Sequence, residues 1–320
     1  MYEAIKNFSQ QFLYEPEIKN QKNLAEKSSF IVVGMGGSAL ASLLLQTWRP
    51  EIDIMVHRNY GLPRLPIEKL KSKLVILSSY SGNTEEVIDA FNEARNKKLE
   101  MAVIATGGKL LSLAKENNVP YIELPNTGIQ PRSALGFSIM AFMKFIGEEN
   151  EIKELNALAT TLNSADFEKE GKILAQKLKN YIPVVYSSNH NSSLAYIWKI
   201  KLNETGKIPA FCNVLPELNH NEMTGFDLKE STKELNSKFY FIILKDMEDN
   251  PKILRRIGVL EKLYKNRNLP VEILELKGKD FWQRIFSSLL LADWTAYYTA
   301  LGYGQDPEQV PMVEEFKKLI

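Results

Sequence analysis

The 320-residue chain contains one cysteine, Cys212, and only three histidines, His57, His190 and His220. A lone thiol cannot close an intrachain disulfide, and no Cys/His group has zinc-ligand spacing, so a disulfide-stapled module and a zinc knuckle are excluded. No metal is expected. An excess of charge is missing too, because 40 basic residues stand against 39 acidic ones. Dedicated nucleic-acid binders need a basic surplus for phosphate contacts, so nucleic acid is not an expected partner. Long apolar runs are absent as well. The most apolar stretch, 286–303, is interrupted by Asp293, and the opening MYEAIKNFSQ has no apolar signal-peptide core. The expectation is a cytoplasmic chain with no membrane span.

What is present is an ordinary globular composition, 44% hydrophobic and 25% charged, which excludes a disordered or fibrous chain. At about 150 residues per domain the length suggests two domains. Up to about residue 25 the chain is polar, with Ile5, Phe8, Phe12 and Leu13 spaced as in an amphipathic helix; it reads as a strap on another surface. Short β-branched runs then alternate with helical periodicity, at 30–33, 52–56, 74–77, 101–105 and 121–124. That alternation predicts βαβ units, a parallel sheet with helices on both faces.

An apolar helix is predicted over 133–146, followed by the charged segment GEENEIKE, whose composition reads as a linker. A second series follows: a strand at 184–186, a helix over 192–205, a strand at 239–244, a helix over 251–265, a strand at 271–276 and a long helix from Asp280. The fold class is therefore α/β, with two halves of similar plan, 1–150 and 151–320. Their strand-end loops differ. The first half has GMGGSA and SSYSGNTEE, the second SSNHNSS and the acidic KDMEDN, so only the first half suits an anion.

In FIVVGMGGSAL, Gly34, Gly36 and Gly37 sit at a strand end and Ser38 at a helix start. Glycine lets backbone N–H groups approach a ligand, and the helix N-terminus adds unsatisfied donors and a positive dipole end. Taken alone the run also fits a dinucleotide loop, since Gly34, Gly36 and Ala39 match G-x-G-x-x-A and Arg58 follows the next strand. A βα turn that is glycine-rich only for close packing is the third option. The second loop discriminates further. It offers Ser79, Ser81 and Thr84 around Gly82, and Asn83 with Glu86 fits a capping box at a helix start. Several hydroxyls converging on a helix N-terminus suit a phosphate monoester, and a dinucleotide domain has no use for this loop. The pair favours a compact sugar phosphate.

GMGGS followed by SYSGNTEE resembles the sugar isomerase (SIS) fold, and PRSALGF (131–137), KLNETGKIPAF (201–211) and LPELNHNEMTGF (215–226) narrow the resemblance to the bifunctional phosphoglucose/phosphomannose isomerases. It extends from Phe30 to Lys317. It implies two SIS-type domains, each a parallel β-sheet flanked by helices in an αβα sandwich, and aldose-ketose isomerisation through a cis-enediol without metal or redox cofactor. The substrate-binding residues implied are Gly36, Gly37, Ser38, Ser79, Ser81, Thr84 and Arg132. Glu204 matches the base that moves a proton between C1 and C2. His220 matches a histidine that helps open the sugar ring and is supplied by the neighbouring subunit, which implies a homodimer. Arg132 lies where a cation stabilises the developing oxyanion. Lys317 matches the ring-opening lysine, with Lys318 next to it in the adjacent register. One departure stands out: Val310 occupies a position where a dual-specificity member is expected to carry threonine, which bears on tolerance of both C2 epimers.

The residues themselves agree with part of this. Leu194, Ile197, Trp198 and Leu202 make one apolar helical face, and Gly206 with Pro209 ends that helix just after Glu204. The negative end of the helix dipole makes a carboxylate there a better proton acceptor. Without the resemblance, a solvated glutamate near Lys201 or Lys207 is the commoner reading of such a position. A lone histidine is likewise more often a satisfied polar residue, and Arg132 could be a surface arginine after a proline turn. Two other classes remain open at this stage. A SIS domain that senses sugar phosphate without turnover explains the serine loops but gives Glu204, His220 and Arg132 no task. An NAD(P)-dependent oxidoreductase explains GMGGSA but not SYSGNT.

Overall fold

The computed structural model describes residues 1–227 and 229–319. By contact the chain divides into two compact units, one spanning Asn7–Thr161, the other beginning at Leu162 and joined by Met1–Lys6. The N-terminal strap is not one helix. A short helix α1 (Tyr2–Lys6) stops at Asn7 and gives way to a 3₁₀ turn, Phe8–Leu13, which buries Phe8, Gln11 and Phe12. Apolar residues at 5, 8 and 12 serve a broken segment as well as a continuous helix, so periodicity could not distinguish the two.

In the first unit the order is β1 (Ser29–Gly34), α2 (Gly37–Trp48), β2 (Asp53–His57), α3 (Ile67–Lys71), β3 (Leu74–Ser78), α4 (Glu85–Asn96), β4 (Met101–Ala105), α5 (Gly108–Glu116), β5 (Tyr121–Glu123), α6 (Leu135–Ile146) and α7 (Glu149–Thr161). The five strands pair in parallel in the order β2-β1-β3-β4-β5. The runs of buried residues in β1 and β3 reflect a sheet covered on both faces. Ile31, Val33, Val75, Leu77 and Val103 pack with Val87 and Phe91 of α4 to form one side of this core. The segment expected as a linker is a correction: it forms most of the first turns of α7. Its charges face solvent while Leu155 and Leu158 are buried, an amphipathic helix whose polar face dominates its composition. Residues 150 and 151 lie inside it, and the division by contact comes at its end.

The second unit runs α8 (Ala165–Lys177), β6 (Ile182–Ser188), α9 (Ser192–Glu204), β7 (Phe211–Leu215), α10 (Glu222–Gly225), α11 (Lys233–Asn236), β8 (Phe239–Lys245), α12 (Pro251–Lys265), β9 (Val271–Glu275), α13 (Phe281–Gly302) and α14 (Pro311–Leu319). Its strands are also parallel, in the order β7-β6-β8-β9. The sequence did not reveal α8 or β7. β7 is an edge strand of only five residues, interrupted by the polar Asn213 and with Phe211 55% exposed, so it lacks the continuous apolar run that marks strands such as β1 and β3. Asp293, which interrupts the long apolar stretch, is buried in α13 and paired with the buried Lys201 of α9 at 2.5 Å. Among the described residues no helix is long and apolar enough to cross a membrane.

Candidate active site

In the first sheet the strand order reverses beside β1: the chain leaves β1 for β2 on one side and returns to β3 on the other. The loops after β1 and β3 therefore diverge and leave a crevice at the carboxyl ends of the strands, the usual ligand position in such sheets. Both hydroxyl-rich loops identified in the sequence line this crevice. They are stitched together: Ser78 Oγ donates to Ser38 O at 3.1 Å, and Tyr80 N donates to Ser38 Oγ at 2.8 Å. Ser38 thus positions the second loop and retains its own hydroxyl proton to donate to a ligand.

Within the second loop Ser79 Oγ and Thr84 Oγ1 lie 2.8 Å apart, Gly82 N donates to Ser79 Oγ at 3.1 Å, and Asn83 N donates to Ser81 Oγ at 3.3 Å. The expected Asn83/Glu86 capping box does not form. Thr84 is the N-cap of α4 and no side chain caps the first turn, while Asn83 Oδ1 instead accepts from Lys109 N at 3.0 Å. The tertiary partner outcompetes the local one, because Asn83 faces a third loop that sequence reading missed. That loop, Thr106-Gly107-Gly108, follows β4 with the same strand–glycine–helix pattern. Thr106 Oγ1 donates to Tyr80 O at 2.6 Å and Leu110 N donates to Gly82 O at 2.8 Å.

Gly82 carries this contact. Its φ of +69° is left-handed, and a Cβ there would lie 1.8 Å from Gly107 O. In Gly82→Ala the strained backbone alone costs about 1–3 kcal/mol, and the two loops must separate. The expected outcome is a lower melting temperature and weakened binding of inorganic phosphate by calorimetry; wild-type phosphate affinity would dissociate this loop from the anion site.

Gly36 precedes α2, and Gly37 begins it and admits a close approach. A Cβ on Gly37 would lie 2.8 Å from Arg132 N and from Pro131 C. The turn Pro131–Ser133 therefore rests on the α2 N-terminus, and Arg132 is not a surface residue but 2% exposed. Its Nη1 donates to Gln130 Oε1 at 3.4 Å. Gln11, also missed from the sequence, fixes this turn. Its Nε2 donates to Ser133 O at 2.7 Å, and its Oε1 accepts from Gly136 N at 3.0 Å and Phe137 N at 3.3 Å. The α2 N-terminus, with its unsatisfied donors and positive dipole end, thus abuts the main chain of a turn that carries a buried arginine. Gly36, Gly37, Ser38, Ser79, Ser81, Thr84 and Arg132 thus belong to one cluster.

The matching crevice of the second sheet lies between β6 and β8 and has a different character. Asp246 and Asp249 are buried there with Ser188 and Asn191, and Asn191 Nδ2 donates to Asp246 Oδ2 at 3.3 Å. Burial, with Asp246 adding to it, pushes the Asp249 carboxyl up despite opposing effects from Ser188 and His190. Arg284 Nε lies 3.5 Å from Asp246 Oδ1, so this edge carries an internal acid–base pair and a second buried acid where the first sheet has glycine and hydroxyl loops.

The remaining candidates lie in the second unit. Glu204 is the last residue of α9 and half-buried. Lys201, one turn before it, is committed to Asp293, and Lys207 Nζ donates to the Glu204 main-chain oxygen at 2.6 Å. Thr205 N and Gly206 N both donate to Lys201 O, so the helix ends where the sequence places its end, but the left-handed residue that follows is Lys207, with φ of +59°, and not Gly206. His220 is exposed and follows the 3₁₀ turn Glu217–Asn219 after β7. Because α9 runs back across the sheet between parallel strands, Glu204 lies at the edge where β7 begins and His220 at the edge where it ends. The five residues of β7, at about 3.3 Å each, span roughly 16 Å between those two edges. One chain does not bring this pair together. Lys317 and Lys318 are exposed on α14, with Lys317 Nζ 2.9 Å from Glu314 Oε1. Val310 is half-buried and its main-chain oxygen accepts from Val313 N and Glu314 N at the start of that helix.

Residues 167–320 match the family described as the bacterial phospho-glucose isomerase C-terminal SIS domain. The chain is 30% identical to a bifunctional phosphoglucose/phosphomannose isomerase of Aquifex aeolicus, over 99% of this chain and 97% of that protein. It is 32% identical to one of Caldicellulosiruptor bescii, over 99% and 98%. Among solved structures, glucosamine-6-phosphate deaminase of Thermotoga maritima superposes with a TM-score of 0.69 at 18% identity, covering 97% of both chains, which shows a shared fold.

Proposed function

Because the chain belongs to the bifunctional phosphoglucose/phosphomannose isomerase family, we propose that it interconverts glucose 6-phosphate and mannose 6-phosphate with fructose 6-phosphate. The observation that supports this reading is the joining of the glycine- and hydroxyl-bearing loops after β1 and β3 through Ser38, with the turn of the buried Arg132 packed against Gly37. The phosphate is held by Ser38, Ser79, Ser81 and Thr84 with the backbone at Gly36 and Gly37, so that the reacting carbons are presented at a fixed distance from the anchor. After ring opening assisted by His220 and Lys317, Glu204 takes the C2 proton of the aldose and returns it at C1. Arg132 stabilises the enediolate oxygen. Glucose and mannose phosphates differ only at C2, so both collapse to one enediol once that proton leaves. Val310, in place of the threonine expected of a dual-specificity member, is the one feature that counts against equal use of both epimers.

The positions of Glu204 and His220 at opposite ends of β7 support a homodimer in which each site takes its histidine from the partner. The test is a coupled assay of purified protein with EDTA present, run with glucose 6-phosphate, with mannose 6-phosphate and in the reverse direction. Turnover of both aldoses is the expected result. Binding without turnover would establish a sensor instead, and turnover of glucose 6-phosphate alone would confine the enzyme to one epimer.

A further inference from the structure

We propose that Glu222 is the positioning residue that holds His220 in the geometry its task requires, an inference that rests on the role given to His220 above. Both oxygens of this half-buried carboxylate are committed: Tyr186 OH donates to Oε1 and Asn213 Nδ2 donates to Oε2. These donors come from β6 and β7, the two strands beneath the His220 loop. Tyr186 is fully buried, its ring 5.6 Å from that of Phe241, which in turn packs 4.8 Å from Phe226 and 4.5 Å from Tyr264. Burial, then the neighbouring Tyr264 and Glu222, push the Tyr186 phenol far above its ordinary range, so it remains a donor. The anchor is therefore part of the core.

On the other side of His220 the loop is also fixed. Leu218 is fully buried, Arg256 Nη1 donates to Asn219 Oδ1 at 3.2 Å, and Asn221 Nδ2 donates to Glu217 Oε1 at 2.7 Å. An exposed imidazole is thus carried on a short platform held by two strands at its Glu222 end and by α12 and the core at its Leu218–Asn219 end. A side chain that works in another subunit's site gains no alignment from its own chain's site, so its platform must be rigid in advance. A displacement of only 1 Å in such a group costs on the order of 10²-fold in rate.

The experiment uses full-length chains and mixed dimers. As reference, Glu204→Gln and His220→Ala subunits are combined in equal amounts. Random association makes half the dimers mixed, each with one intact site, so about a quarter of wild-type turnover returns. Glu222→Ala alone is expected to lower kcat about tenfold or more while leaving KM within about twofold, because the phosphate loops are untouched. Mixed with Glu204→Gln it should complement as His220→Ala does, since the intact Glu204 site then receives a well-placed histidine. Mixed with His220→Ala it should not, since neither subunit supplies one. A subunit that is merely misfolded would fail both mixtures. Tyr186→Phe, which keeps the buried ring and removes one donor, should follow the same pattern with a smaller loss. Failure of the reference pair would overturn the partner-supplied histidine and this proposal with it. Success of the reference pair with wild-type kcat in both variants, or with no complementation of Glu204→Gln by either, would overturn the role of Glu222 alone.

Discussion

Glu204→Gln is expected to lower kcat by about 10²–10⁴-fold, the usual contribution of a positioned general base, while affinity for the sugar phosphate is retained. The amide is nearly isosteric but cannot accept the C2 proton. The end of α9 is closed by main-chain bonds from Thr205 and Gly206 to Lys201 O, which the substitution leaves in place. Folding should therefore survive. The discriminating measurement is exchange of the C2 hydrogen with solvent deuterium, followed by NMR on glucose 6-phosphate. Loss of exchange in parallel with kcat identifies Glu204 as the base, and exchange at the wild-type rate would assign that task elsewhere.

The second large effect is expected at Arg132. In Arg132→Met the apolar stem is kept and the charge is lost, which should reduce kcat by about 10²–10³-fold if the guanidinium stabilises the developing oxyanion. Phosphate binding through the loops should weaken less. The buried position makes this sharper than at a surface arginine, because solvent does not screen the interaction. A rise in KM with kcat unchanged would reassign Arg132 to holding the phosphate. Gln11 ties the Arg132 turn to the start of α6, with one hydrogen bond to Ser133 O and two from Gly136 N and Phe137 N, so the turn itself should persist in the variant.

Much of this site was readable in the chain because its signals are local. The glycines and hydroxyls of GMGGS and SYSGNT lie within single strand-to-helix turns, and a turn's chemistry depends on neighbours in sequence. What escaped depends on residues far apart. Gln11 sits in a polar segment and meets residues 133–137 only after folding. Thr106, Gly107 and Gly108 form a third loop whose role appears only once Gly82 is pressed against it. The Asn83 cap failed for the same reason, since Asn83 found Lys109.

Sequence alone determined the α/β alternation, the two parallel-sheet halves and the anion character of the first pair of loops, because strand periodicity, glycine placement and hydroxyl spacing act over a few residues. Only the tertiary structure decided where α7 lies, that the Arg132 turn packs against Gly37, and that Asp246 and Asp249 are buried beside the matching loops of the second sheet. It also decided that Glu204 and His220 stand at opposite ends of β7, and that Glu222 is gripped by two strands. These outcomes follow from strand order and packing, which bring together residues that no local pattern connects.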